Sequence, residues 1–270
     1  MSSYLEGRRY GYLTPENSGG FYKGIQHQQV AGYSVGIVYI ENINYPILPG
    51  NVVNATTYPF PVRMKAVRNL TNDRLFNNDP TIVEDILAAA RSLVEDDGCR
   101  AICSACGFFG NYQQQVRKAL DVPVAMSSLV QIPFIQGLLK PGQKIGVLTA
   151  NKGSMTESLL RGCGVQDSSN LVIKDALATE EFATVVNMRG YFDNTIAQQE
   201  IVDLALELIR ENDDIGAILL ECSDMPPYAA AIQNATQLPV FDFITLIRGL
   251  HSGVAPKPYY GFIYNGIGPF

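Results

Sequence analysis

The chain carries an internal duplication that puts a cysteine at the same point in each copy. Ala101-Ile102-Cys103-Ser104-Ala105-Cys106, continuing through Tyr112, Ala119 and Pro123-Val124, aligns without a gap on Ala217-Ile218-Leu219-Leu220-Glu221-Cys222, continuing through Tyr228, Ala235 and Pro239-Val240. The offset is 116 throughout, and seven of the 24 positions are identical. Ordinary residue frequencies would give about one or two. Each copy reads as an apolar strand, a cysteine, a loop, a helix and a second short strand opening at proline. Such a chain is constrained to fold as two similar halves. Two equivalent thiols, one per half, suit chemistry that takes a proton from one face of a carbon and returns it to the other.

The flanking sequence extends the repeat. Ser34 to Ile40 is an apolar, β-branched run that predicts a buried strand, and Lys144 to Thr149 predicts its counterpart, with Gly146 lying 110 positions after Gly36. Val62 to Val67 predicts a further strand. Asp79-Pro80 predicts a helix start, with Asp79 as cap, Pro80 at the first helical position and Gly98 as the stop after about Asp97. In the second half a helix is expected from Met155 to Arg161, capped by Ser154. A strand near Leu171 to Ile173 and a helix from about Thr195 to Glu211 follow. The last strand is expected at Pro239 to Phe241 and the last helix at Ile244 to His251. Alternating strands and helices imply an α/β fold of two pseudo-symmetric lobes, each a parallel sheet flanked by helices. The expected division is an irregular N-terminal extension over residues 1–33, a first lobe of 34–134 plus 241–270, and a second lobe of 135–240. The Pro-rich stretch from Glu41 to Pro61 is longer than a mere connection needs, and such loops are usually functional or disordered.

Composition narrows the function. A net charge of -6 with no basic stripe argues against nucleic acid as a partner. No apolar run reaches the roughly 18 residues needed to cross a bilayer, which argues against a membrane. Met1 to Tyr10 lacks the apolar core of a signal peptide, so a cytoplasmic location is expected. The five cysteines, 99, 103, 106, 163 and 222, are an odd number in a chain that needs no disulfide framework. Cys103 and Cys106 form a C-x-x-C, but no second one exists and the only histidines are His27 and His251. A four-ligand metal site would need distant help. Cys103 aligns with Leu219 and so reads as a small buried strand residue. Gly-x-Gly-x-x-Gly and the P-loop pattern are both missing, so neither a metal nor a cofactor is implied.

In open parallel sheets ligands bind beyond the carboxyl ends of the strands, and Cys106 and Cys222 are expected there. Each precedes a helix, whose free N–H groups would favour a thiolate and could hold a substrate carboxylate. Gly107 permits close backbone approach, and Ser223 adds a hydroxyl.

These residues resemble the aspartate/glutamate/hydantoin racemase superfamily over roughly residues 34–252. The resemblance is most specific in Cys106-Gly107-Phe108-Phe109 and in Leu220 to Tyr228. The stretch from Pro49 to Val62 is similar to an uncharacterised branch of that superfamily. The resemblance implies two α/β lobes with the substrate in the cleft between them, and a C-terminal helix that returns to the first lobe. It implies Cys106 and Cys222 as catalytic thiols of a cofactor-independent isomerase, a racemase or epimerase acting at the carbon alpha to a carboxylate or carbonyl. The substrate-binding set it implies is Glu41, Asn54, Gly107, Phe108, Thr149, Asn151, Ser154, Ser223 and Asp224. Amino-acid racemases usually show Cys-Asn-Thr at the first site and Cys-Thr-His or Cys-Thr-Glu at the second. Here Cys-Gly-Phe and Cys-Ser-Asp replace part of what recognises glutamate or aspartate. A maleate-type isomerase, a malonate-type decarboxylase and a non-catalytic bilobed binding protein stay open beside the racemase. The expected partner is a small-molecule carboxylate, and a homodimer is compatible with the family.

Overall fold

The computed structural model describes residues 27–262 without a break, together with residues 10, 11, 13–15, 18–21 and 24. Two four-stranded parallel sheets form the frame. The first contains β1 (Val35–Ile40), β2 (Val62–Val67), β3 (Ala101–Ser104) and β4 (Val124–Ala125), in the order β2-β1-β3-β4. The second contains β5 (Lys144–Thr149), β6 (Leu171–Asp175), β7 (Ile215–Leu220) and β8 (Val240–Phe241), in the order β6-β5-β7-β8. The duplication is therefore a duplication of topology. It holds to the residue: Gly36 pairs with Ile102 and Ile102 with Val124, as Gly146 pairs with Ile218 and Ile218 with Val240. The central strands carry unbroken apolar runs because both faces are covered, and every residue of β7 is buried.

The helices are α1 (Asn72–Phe76), α2 (Val83–Glu95), α3 (Gln113–Ala119), α4 (Ile132–Leu138), α5 (Glu157–Gly162), α6 (Phe182–Val186), α7 (Asn194–Glu211), α8 (Ala229–Thr236) and α9 (Phe243–Val254). α2 and α7 are the equivalent covers. α7 buries Ala197, Ile201, Ala205 and Leu208, the i, i+4, i+8, i+11 stripe of one helical face. Each helix crosses its sheet over a glycine. A Cβ on Gly36 would stand 3.0 Å from Leu93 Cβ of α2, and one on Gly146 would stand 2.5 Å from Leu208 Cδ2 of α7. Leu208 is fully buried and has nowhere to retreat. Gly146→Ala is therefore expected to cost about 1–3 kcal/mol by overpacking, read from urea unfolding.

α9 follows the second sheet in sequence yet covers the first. Its Phe243, Ile244 and Ile247 pack with Val35, Ile37, Ala101 and Cys103, on the face opposite α2. Asp242 starts α9 with a capping box shared with Thr245, and Gln131 Nε2 donates to the Asp242 carbonyl at 2.9 Å.

Several expectations shift. Asp79 caps a 3₁₀ turn, Pro80–Ile82, which leads into α2 rather than being its first turn. α5 begins later than expected: Thr156, not Ser154, accepts from Leu159 N–H as its cap, while Ser154 ends a separate 3₁₀ turn. α1 and α6, five residues each, are too short to show an apolar period. The irregular segment expected over 1–33 and the C-terminal tail of the segment 241–270 assigned to the first lobe lie partly outside the described residues. Within the tail, α9 runs to Val254, and residues 256–262 form neither helix nor strand. Among the described residues no helix is long and apolar enough to cross a membrane.

Candidate active site

The two cysteines leave their sheets by the same hydrogen bond. Ala105 N–H donates to Val38 O of β1 at 2.9 Å, and Glu221 N–H donates to Leu148 O of β5 at 2.8 Å. One residue later Cys106 and Cys222 turn into a common cleft between the lobes, of about 410 Å³ counting its open mouth. Ser223 and Asp224 line it beside the thiols, and Ile40, Ile43, Tyr45, Phe76, Val186 and Met188 supply much of the wall. No Lys, Arg or His stands among the lining residues.

The loop from residue 41 to residue 61 reaches across from the first lobe and completes the second thiol's surroundings. Val52 N–H donates to Ser223 O at 3.3 Å. Asp224 Oδ1 accepts from Tyr45 Oη–H at 2.8 Å and from Asn51 Nδ2 at 2.5 Å. Its other oxygen accepts from the Cys222 thiol at 3.5 Å. A half-buried carboxyl thus faces the cleft with two neutral donors behind it and a thiol beside it.

A second carboxyl lies behind the cleft. Glu221 is fully buried, and its Oε2 accepts from Thr149 Oγ1 at 2.8 Å and from Ala150 N–H at 3.0 Å. Burial pushes this carboxyl up to about 7, against the pull of those two donors. Ser128 Oγ donates to the Glu221 carbonyl at 3.2 Å, which ties the end of β7 to the segment after β4.

These groups reverse the expected ionisation of the thiols. Burial pushes Cys106 up, and the Glu221 carboxyl pushes it further, while the Phe108 and Phe109 amides pull it down. Burial likewise raises Cys222, with Asp224 and then Glu221 adding to it against the Asp224 amide. The amides expected to favour thiolates are present, but they come from 3₁₀ turns and are outweighed by desolvation and two carboxyls. Both thiols rest protonated.

No protein-family model matches the chain. A dimethylsulfoniopropionate lyase from Durusdinium sp. clade D is 31% identical over 234 residues, covering 84% of this chain and 77% of the relative. Dimethylsulfoniopropionate lyase 7 of Emiliania huxleyi is 30% identical over 237 residues, covering 84% and 69%. This chain belongs to the dimethylsulfoniopropionate lyase family. Its fold is shared with solved racemases and decarboxylases. An allantoin racemase from Pseudomonas fluorescens superposes with a TM-score of 0.56 at 15% identity, over 84% of this chain and 99% of that one. Unliganded arylmalonate decarboxylase gives 0.53 at 15% identity, over 84% and 94%.

In this member of the lyase family four of the residues singled out from sequence meet at the cleft: Cys106, Cys222, Ser223 and Asp224. The others stand elsewhere. Glu41 accepts from Asn69 N–H at 2.9 Å and fastens the turn after β2. Asn54 caps the 3₁₀ turn Ala55–Thr57. Thr149 lies behind the wall, on Glu221, and Asn151 and Ser154 bracket the turn at Lys152–Ser154. Phe108 is fully buried, edge-on to Phe76 with centroids 4.9 Å apart, so only its backbone faces Cys106. Gly107 packs against Glu221. Sequence reading passed over Tyr45, Asn51 and Glu221, and over Asn72, which also lines the cleft. For Glu221 a signal existed: a charged residue at the end of an otherwise apolar strand, where the other copy has alanine.

Proposed function

We propose that this protein is a lyase that removes the proton alpha to the carboxylate of a small sulfonium carboxylate and expels a neutral sulfide from the beta carbon. Dimethylsulfoniopropionate, for which its relatives are named, is the substrate of choice. The observation that carries this is Asp224: a carboxyl facing an apolar cleft that offers no basic side chain. Such a cleft repels a second carboxylate on the substrate and suits a soft cation beside Tyr45 and Phe76, whose rings add cation–π attraction.

The sulfonium also solves the ionisation of the base. The Asp224 charge opposes a thiolate at Cys222, and a bound cation next to Asp224 offsets that charge. Cys222 then gives its proton to water in the open cleft and, as the thiolate, takes the alpha hydrogen. The carbon–hydrogen electron pair becomes the carbon–carbon double bond, the carbon–sulfur bond breaks, and dimethyl sulfide and acrylate leave. The abstracted proton stays on Cys222 until solvent removes it. A neutral sulfide needs no acid to depart, so elimination requires one base. Ser223 supplies a hydroxyl for the substrate carboxylate.

A second reading, racemisation or epimerisation, is favoured by the equivalence of Cys106 and Cys222 across the cleft. It shares proton removal but needs the opposite thiol as acid. Headspace gas chromatography with purified protein and dimethylsulfoniopropionate separates the two. Release of dimethyl sulfide with equimolar acrylate is expected. No sulfide release, together with alpha-proton exchange of amino acids or hydantoins in D₂O, would give the site to racemisation.

A further inference from the structure

We propose that Glu221 is a positioning residue that holds Cys106 protonated, so that two thiols in equivalent places do unequal work. This deepens the lyase reading and rests on it. Glu221 grows from the second lobe, but its carboxyl is laid against the first lobe's thiol loop. Its Oε1 lies 1.9 Å from where a Cβ on Gly107, the residue after Cys106, would stand. Only glycine leaves that space. The same Oε1 is buried and has no hydrogen-bond partner among the described residues. A carboxyl serving only to fasten the end of β7 would have both oxygens satisfied, because an orphaned buried oxygen is costly. The equivalent residue in the first half is Ala105, so the fold itself does not require an acid there.

The consequence is an asymmetry of charge. Glu221 is sealed behind the wall and is not among the cleft residues, so no ligand can reach it to cancel its charge. Asp224 opens onto the cleft, where a cationic substrate can offset it. Substrate binding thus frees Cys222 to ionise while Cys106 stays a thiol. The other titratable groups that face Glu221 are Asp224 and Cys222 on its own loop, Asp175 at the end of β6 and Cys163 after α5. None carries a positive charge that would neutralise it. With its carboxyl raised to about 7, Glu221 is ionised above neutral pH, and its hold on Cys106 is strongest there.

The test is alkylation by iodoacetamide without substrate, with Cys106 and Cys222 followed separately by peptide mass spectrometry. At pH 8, Glu221→Gln is expected to raise the Cys106 rate about tenfold and the Cys222 rate by less, one unit of pKa being the lower end of what a neighbouring charge does. An unchanged Cys106 rate, or an equal rise at both thiols, overturns the proposal. If Glu221→Gln does not fold, Thr149→Val serves. It removes a donor that stabilises the ionised carboxylate, so Cys106 is expected to react faster near pH 7, and an unchanged rate is again fatal. The readout needs no turnover. Failure of wild type to release sulfide would sink the lyase reading while leaving the thiol asymmetry measured on its own.

Discussion

Cys222→Ala is expected to lower sulfide release by about 10³-fold or more, the usual worth of a positioned general base, with Cys106→Ala costing about tenfold. The asymmetry has a physical source. Cys222 donates to Asp224 at 3.5 Å, and Asp224 is the group whose charge a sulfonium can offset from the cleft. Cys106 is opposed chiefly by burial and by Glu221, with Asp224 adding less, and a ligand in the cleft does not reach Glu221. The proposed elimination asks for one base, so the second thiol is expected to contribute contact and water exclusion. Initial rates of dimethyl sulfide release at saturating and limiting substrate, with far-ultraviolet circular dichroism to verify folding, decide the matter. Equal losses at both cysteines would return the site to a two-base mechanism. A loss confined to Cys106→Ala would reverse the assignment of the base.

Glu221→Gln is expected to change the pH dependence of folding by about 3 kcal/mol, the free-energy equivalent of moving a carboxyl from 4.5 to about 7. The sign follows from the direction of the shift. A folded state that raises a carboxyl favours its protonated form. Glu221 therefore contributes stability that is fully present below about pH 4.5 and is lost as the pH rises through about 7. The glutamine side chain has no proton to lose and keeps an acceptor for Thr149 and Ala150. Relative to wild type, the variant should gain stability between pH 5 and pH 8. Urea unfolding of both proteins at those two values measures the difference directly. Carboxylates remote from Glu221 titrate equally in both proteins and cancel. No change in the difference with pH would mean that Glu221 is already ionised, or never ionised, across the range.

The same residues mark where sequence stops informing. Duplication made the two halves legible, since a repeated pattern of apolar strand, cysteine, helix and proline depends on local propensity and periodicity, which are written along the chain. The shared register of Gly36 with Ile102 and Gly146 with Ile218 follows from it. The placement of both cysteines past strand ends was legible for the same reason. The loop from residue 41 to residue 61 was conspicuous by its length, but not which of its residues turn inward. Asn54 and Asn51 are three apart in one loop. One caps a turn, and the other reaches Asp224 from 173 positions away. The family resemblance implies a substrate-binding place for Thr149, the last residue of β5, yet it faces Glu221 rather than the cleft.

What the sequence by itself determined is the architecture and the pairing of the thiols, because repetition and apolar period act between neighbours in the chain. What only the tertiary structure decided is the state and the inequality of those thiols. Helix-start amides predict thiolates, whereas the folded cleft holds protonated thiols. The difference arises because burial and the convergence of Asp224 and Glu221 exist only after two lobes and a long loop have closed on each other. Electrostatic energy depends on distance and on the exclusion of water, and neither is set by separation along the chain.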